Sequence, residues 1–159
     1  MYLDAMEFLE EERDEWAPYE ALGELSDDQL ATQVEEAHGW SGRDLMVHML
    51  AWQGVALEAA KELAVNETSA TIARVDSDWD QRGGEAVNAE IQAAWADRSM
   101  ADIRAAFASQ PGELRGYLTV VPETRWLKHA AHLKSFHDET IAHYEEHGSD
   151  LRAILEAAR

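Results

Sequence analysis

The segment from Trp40 to Leu63 constrains the fold more than any other part of the chain. Ser41, followed three residues later by Asp44, forms the capping-box pattern with which many helices begin. Behind this start, apolar residues recur at steps of three and four, at Leu45, Met49, Trp52, Val55, Ala56, Ala59 and Leu63. The spacing predicts one long helix that turns an apolar face toward a core.

Composition favours helices along the rest of the chain. Alanine is abundant, there are only 3 prolines, and β-branched residues are sparse outside 65–75 and 119–121. A length of 159 residues suits a single domain, residues 1–159. Besides a short helix closing at Gly39, helical patterns occur at about 2–19, 40–63, 85–96, 99–120 and 126–147. We therefore predict an all-α four-helix bundle, with a long crossover between the second and third main helices.

The predicted crossover covers residues 64–84, where the helical periodicity fails and polar residues and a glycine pair accumulate. An irregular connection of this length is uncommon in a compact domain and often forms a lid or a pocket wall. Trp79 lies in this crossover. Its indole either anchors the crossover on the core or contacts a ligand, and we give the two interpretations equal weight. Asn88, on the flank of the next helix, is a candidate polar group of the same pocket.

Charge and cysteine content exclude several classes of function. The formal net charge is −19, which argues against nucleic acid and anionic membranes as partners because phosphate binding depends on Lys and Arg. The chain has no cysteine, so disulfides, thiolate catalysis and cysteine-based zinc sites are excluded. No apolar run is long enough to span a membrane, and the acidic N-terminal segment is unlike a signal peptide. We expect a cytoplasmic protein.

The candidate chemistry lies in a histidine of the first long helix and a pair in the last one. His48 lies on the inward side of its helix, where a buried imidazole needs a hydrogen-bond partner or a metal ion. Glu139 and His143 are four residues apart and so project from one helix face. Together the three predict a divalent metal site with open positions for water or substrate, which is typical of catalytic sites.

Alternatives stay open at each of these positions. His147 lies four residues after His143, so a set of three histidines that includes His48 is also possible. His147 could instead interact with the end of its helix, and His48 could be a core histidine bonded to a carbonyl or carboxylate. Asp44, one turn before His48, is a candidate to orient that ring or to assist proton transfer, or simply a helix cap.

Two motifs carry a resemblance to a known family: W-S-x-x-D-x-x-x-H-x-x-x-W at 40–52 and E-T-x-x-H-Y at 139–144. With a mid-chain tryptophan and Asn88, they resemble the DinB-like superfamily of four-helix bundles. The nearest likenesses are the ClbS/DfsB family and the N-domain of mycothiol-dependent maleylpyruvate isomerase. The resemblance implies one divalent ion, with zinc or nickel expected first, held by His48, Glu139 and His143. Trp52, Trp79 and Asn88 become the predicted cofactor contacts.

The resemblance implies two kinds of function. The first is a metal-dependent enzyme acting on a small electrophilic metabolite or toxin, with Glu139 or Asp44 moving protons. It would work by metal-bound water or by a low-molecular-weight thiol such as mycothiol, which must come from outside a chain without cysteine. The second is a non-catalytic or metal-free ClbS/DfsB-like protein that binds or hydrolyses a toxic small molecule for self-protection. The six tryptophans are also compatible with a homodimer.

Overall fold

The computed structural model describes residues 1–159 and consists of helices, with one isolated β-bridge between Gln33 and Ser41. The α-helices are α1 (Ala5–Trp16), α2 (Asp27–Ala31), α3 (Gly42–Val65), α4 (Ala70–Arg82), α5 (Gly84–Trp95), α6 (Met100–Val120), α7 (Ala130–Glu139), α8 (Ile141–Glu146) and α9 (Gly148–Ala157). Short 3-10 segments cover Ala17–Glu24, Glu35–Ala37 and Glu123–Arg125. The predicted all-α bundle is confirmed. No helix has both the length and the apolar character needed to cross a membrane.

Helix α3 begins at the predicted capping box and lies at the centre of the bundle. The Asp44 amide donates to Ser41 Oγ at 3.1 Å, and the Ser41 amide donates to Asp44 Oδ2 at 2.9 Å. The helix packs most extensively on α6 and also contacts α4, α5, α7 and α9. One core cluster surrounds Trp16 and Tyr144, and another surrounds Trp126. The long helix therefore presents residues to nearly every other element.

The prediction of an irregular crossover at 64–84 is wrong, because most of that segment forms helix α4. Its N-terminus is capped by Ser69, whose hydroxyl accepts from the Ile72 amide at 3.1 Å. The Glu62 carboxylate also accepts hydrogen bonds from the hydroxyls of Ser69 and Thr71, at 2.5 and 2.7 Å. Ile72, Val75 and Trp79 recur at steps of three and four along α4, so the sequence does carry a short apolar stripe. The surrounding polar residues and the glycine pair at the end of the segment obscured it.

The prediction of one continuous last helix over 126–147 is also wrong. The helix breaks at Thr140, whose backbone angles (φ −124°, ψ −95°) are not helical. The Thr140 hydroxyl donates to the Phe136 carbonyl at 2.6 Å, which occupies an acceptor that the helix would otherwise use. Helix α8 then begins at Ile141. Residues before and after Thr140 consequently do not share one helix face.

Candidate metal centre

Three histidines from different parts of the fold meet in the bundle interior. His48 projects from α3, His143 from α8, and His147 from the junction between α8 and α9. One ring nitrogen of each lies within 4.8 Å of the other two. The Nε2 atoms of His48 and His143 are 2.8 Å apart, and His147 packs edge-on against both rings. This is the three-histidine alternative of the sequence prediction, and it is close enough to hold one metal ion.

A carboxylate behind the cluster orients His147. Its Nδ1 lies 2.9 Å from Asp150 Oδ2, and Asp150 is only 5% exposed. A carboxylate partner keeps the proton on Nδ1 and leaves the Nε2 lone pair free, the arrangement usually found behind metal-binding histidines. The other Asp150 oxygen contacts His38 Nδ1 at 2.9 Å, and the Trp40 indole stacks on the His147 ring. The ring is therefore held in position before any ligand binds.

Hydrogen bonds around Tyr144 fix the segment that carries His143. The Tyr144 hydroxyl donates to the buried Glu12 carboxylate at 3.0 Å and accepts from Gln53 Nε2 at 2.8 Å. The Tyr19 hydroxyl donates to the Tyr144 carbonyl at 2.7 Å. Because these groups come from distant parts of the chain, they anchor α8 where its helical hydrogen bonding has just restarted.

Burial keeps two of the histidines neutral. Burial lowers the pKa of His48 to about 3, and repulsion from His147 adds to the effect. Burial lowers the pKa of His143 to about 2, with further repulsion from His48 and His147. Neutral imidazoles have the lone pairs that a metal ion requires. His48 Nδ1 has no hydrogen-bond partner, so this ring is not simply a satisfied core histidine. The donor set fits a divalent ion.

The histidines open onto a cavity of about 520 Å³. Its lining includes Trp52, Trp79 and Asn88, so the structure brings the three predicted cofactor contacts to one place. Trp52 Nε1 donates to Asn88 Oδ1 at 3.2 Å, and the rings of Trp52 and Trp79 meet edge to face at 5.6 Å. These three residues form a wall that faces the histidines.

The glycine pair between α4 and α5 sets the position of Trp79. Gly83 ends α4 with φ +78°, a conformation that favours glycine. A Cβ on Gly84 would lie 2.6 Å from the Trp79 Cη2 atom, so the indole packs directly on a backbone without a side chain. The pair that suggested an irregular loop thus seats an aromatic side chain at the cavity.

Glu139 lines the same cavity but is not among the three clustered ligands. Burial raises the pKa of its carboxyl to about 8, with repulsion from Asp138 and Asp76 adding to the shift and Lys134 opposing it. A carboxyl of this kind can both donate and accept a proton near neutral pH. Asp44 lies elsewhere: its carboxylate completes the α3 capping box, and it is not a lining residue.

Sequence reasoning missed Asp150 and His38. The three-residue spacing of His147 and Asp150 was an available signal, but it spans Gly148, where a helix end was expected. His38 has a positive φ of 58° at the end of a 3-10 turn, and only tertiary folding brings it to Asp150.

Comparisons of the chain with protein-family models, with curated proteins and with solved structures give no match. The resemblance to the DinB-like superfamily therefore stays a prediction that depends on the motif residues.

Proposed function

We propose that the chain is a metal-dependent enzyme of the DinB-like type that acts on a small electrophilic metabolite or toxin. The observation that carries the proposal is the set of His48, His143 and His147, oriented by Asp150, at a cavity with a carboxyl of raised pKa. Three nitrogen ligands leave coordination positions open, as catalytic sites require. We expect zinc or nickel and a cytoplasmic location.

A divalent ion held by these histidines would lower the pKa of a bound water or thiol and act as a Lewis acid. The chain's own residues supply the remaining functions. Asp150 holds the proton on His147 Nδ1, which keeps that ring in the tautomer that binds a metal through Nε2. Trp52 and Trp79 line one side of the cavity and give it an aromatic surface.

Glu139 is the residue that we assign to proton transfer. Its carboxyl lines the cavity, and with a pKa of about 8 it is largely protonated at neutral pH. It can therefore give a proton to a leaving group from its Oε atom and take one back in the next step. A thiol-dependent reaction would need a low-molecular-weight thiol such as mycothiol, since the chain has no cysteine of its own.

Elemental analysis of the purified protein tests the metal site. We expect one divalent ion per chain in the wild type and less than a tenth of that in His48→Ala and His143→Ala. His137→Ala, which removes a histidine of α7 outside the cavity, is the matched control and should keep the ion. A wild type that takes up no ion even after incubation with zinc or nickel would refute the site.

Two further variants separate the roles of the carboxylates. Glu139→Gln should keep the ion and lose turnover of an electrophilic substrate, because Glu139 is not one of the clustered ligands. Asp150→Asn should weaken metal affinity by about 10- to 100-fold, the usual effect of removing the partner of a ligating histidine. Loss of the ion in Glu139→Gln would favour the set of His48, Glu139 and His143.

A second candidate function is a metal-free protein that binds a toxic small molecule for protection. The observation that favours it is the 2.8 Å contact between His48 Nε2 and His143 Nε2, which can be a hydrogen bond between two neutral rings. Tight stoichiometric binding without turnover, unchanged by a chelator, would support this function over the first.

A further inference from the structure

The wall of the cavity is strongly acidic. Apart from Glu139, which is largely protonated, its carboxylates come from α4, α7 and α8, namely Asp76, Asp80, Asp138 and Glu146. The single basic lining residue is Lys134, and its ammonium is hydrogen-bonded to Asp138. Even with a divalent ion at the histidines, the carboxylates outnumber the positive charges. Such a wall raises the local concentration of cations and opposes anions.

Aromatic rings and a buried imidazole border the same space. Trp79 is 48% exposed and meets Trp52 edge to face, which leaves indole surface available to a bound molecule. Indole faces attract ammonium groups, and quaternary ammonium ligands are commonly recognised in this way. His48, only 2% exposed, is one of the lining residues, and its buried Nδ1 has no hydrogen-bond partner. The cavity thus combines a built polar centre with aromatic and acidic surfaces.

We propose that the substrate of this cavity is an organic cation, a small molecule with an ammonium group. The cationic group would lie against Trp79 and the carboxylates of Asp76 and Asp80, with the rest of the molecule directed toward the histidines. This inference rests on the proposed function, since it takes the histidines as the reacting end. It also disfavours thiols with several carboxylates as cofactors, because they would be repelled.

A matched pair of probes isolates the effect of charge. Choline and 3,3-dimethylbutan-1-ol share a hydroxyl and a branched head group and differ in the positive charge. NMR titration of the Trp79 indole N–H, assigned with Trp79→Phe, reports binding next to the proposed contact. In the protein as purified, we expect choline to bind about 10-fold more tightly than the alcohol, in the range of a cation over an indole face. Equal affinities, or no shift with either probe, would overturn the proposal.

Charge variants show which carboxylates are responsible. Asp76→Asn with Asp80→Asn should reduce the affinity for choline about fivefold and leave that for the alcohol unchanged. Asp14→Asn with Asp97→Asn removes the same charge from exposed positions outside the cavity and should change neither. Circular dichroism shows whether both double variants remain folded. A preference for choline that stays near 10-fold in the first pair, or that falls equally in both pairs, would refute the assignment.

The two proposals can fail independently. Metal uptake that depends on the histidines, combined with no preference for choline, would refute the cationic substrate and leave the metal centre standing. A clear preference for choline in a chain that takes up no metal would refute the metal centre. The cavity would then be a binding site for cations only.

Discussion

Acid should destabilise this chain through its buried histidines. In the folded chain His48 stays neutral down to a pKa of about 3, whereas in the unfolded chain its ring takes up a proton near 6.5. Between these values the unfolded state binds more protons, so the free energy of unfolding falls as the pH is lowered. His143, with a pKa of about 2, acts in the same direction. Above about pH 6.5 the two rings cost no stability, and below it the free energy of unfolding falls progressively as the pH drops.

The size of the effect follows from the two pKa values. Lowering the pH from about 7 to about 5 should cost about 2 kcal/mol for His48 and about as much for His143. Together this is a large fraction of the free energy of unfolding of a whole domain, which is typically about 5–15 kcal/mol. His48→Gln cannot titrate, so it should lose about 2 kcal/mol less than the wild type over the same range.

Urea unfolding followed by circular dichroism at a series of pH values measures this difference. A chelator is present throughout, so that metal release does not contribute to the pH dependence. His137→Gln is the control for loss of an imidazole outside the cavity. The reasoning is refuted if the wild type and His48→Gln show the same pH dependence, or if His137→Gln changes it as much as His48→Gln does.

Three further variants test other parts of the structure. Glu139→Gln should become progressively more stable than the wild type as the pH rises from 4.5 toward about 8, because the raised pKa makes ionisation of Glu139 unfavourable in the folded chain. Urea unfolding in the presence of a chelator measures the difference in stability. A difference that does not change with pH would contradict the burial of the carboxyl. Arg115→Met should lower the free energy of unfolding by about 3–5 kcal/mol, since it leaves the buried Glu12 carboxylate unpaired. Adding Glu12→Gln should restore much of the lost stability. An equal loss in the double variant would speak against an ion-pair effect. Gly84→Ala should move the Trp79 indole resonance and weaken choline binding while the metal content stays unchanged, because the new Cβ displaces that ring. An unmoved resonance would contradict the close approach of the Trp79 ring to Gly84.

Local sequence signals predicted a large part of the molecule. The Ser41 and Asp44 capping box and the stripe behind it fixed where α3 begins and which side faces inward, because caps and periodicity act within a few residues. The same stripe indicated His48 as an inward histidine. The motif that follows Thr140 indicated His143, and the aromatic and amide positions of the cavity wall were also found. Helix α4 was missed because its short apolar stripe lies among polar residues and its N-terminus is held by Glu62 of another helix.

Tertiary structure determines which of the candidate ligands lie close together. By sequence, Glu139 and His143 share a face only if one helix continues through Thr140, and the structure breaks that helix there. His143 and His147 remain connected by a backbone hydrogen bond of 3.2 Å, so their four-residue spacing still brings them together. Asp150 then orients His147 across the next helix start. Sequence alone determined which residue types were available, and the backbone break determined which of them meet, because a spacing rule holds only within an unbroken helix.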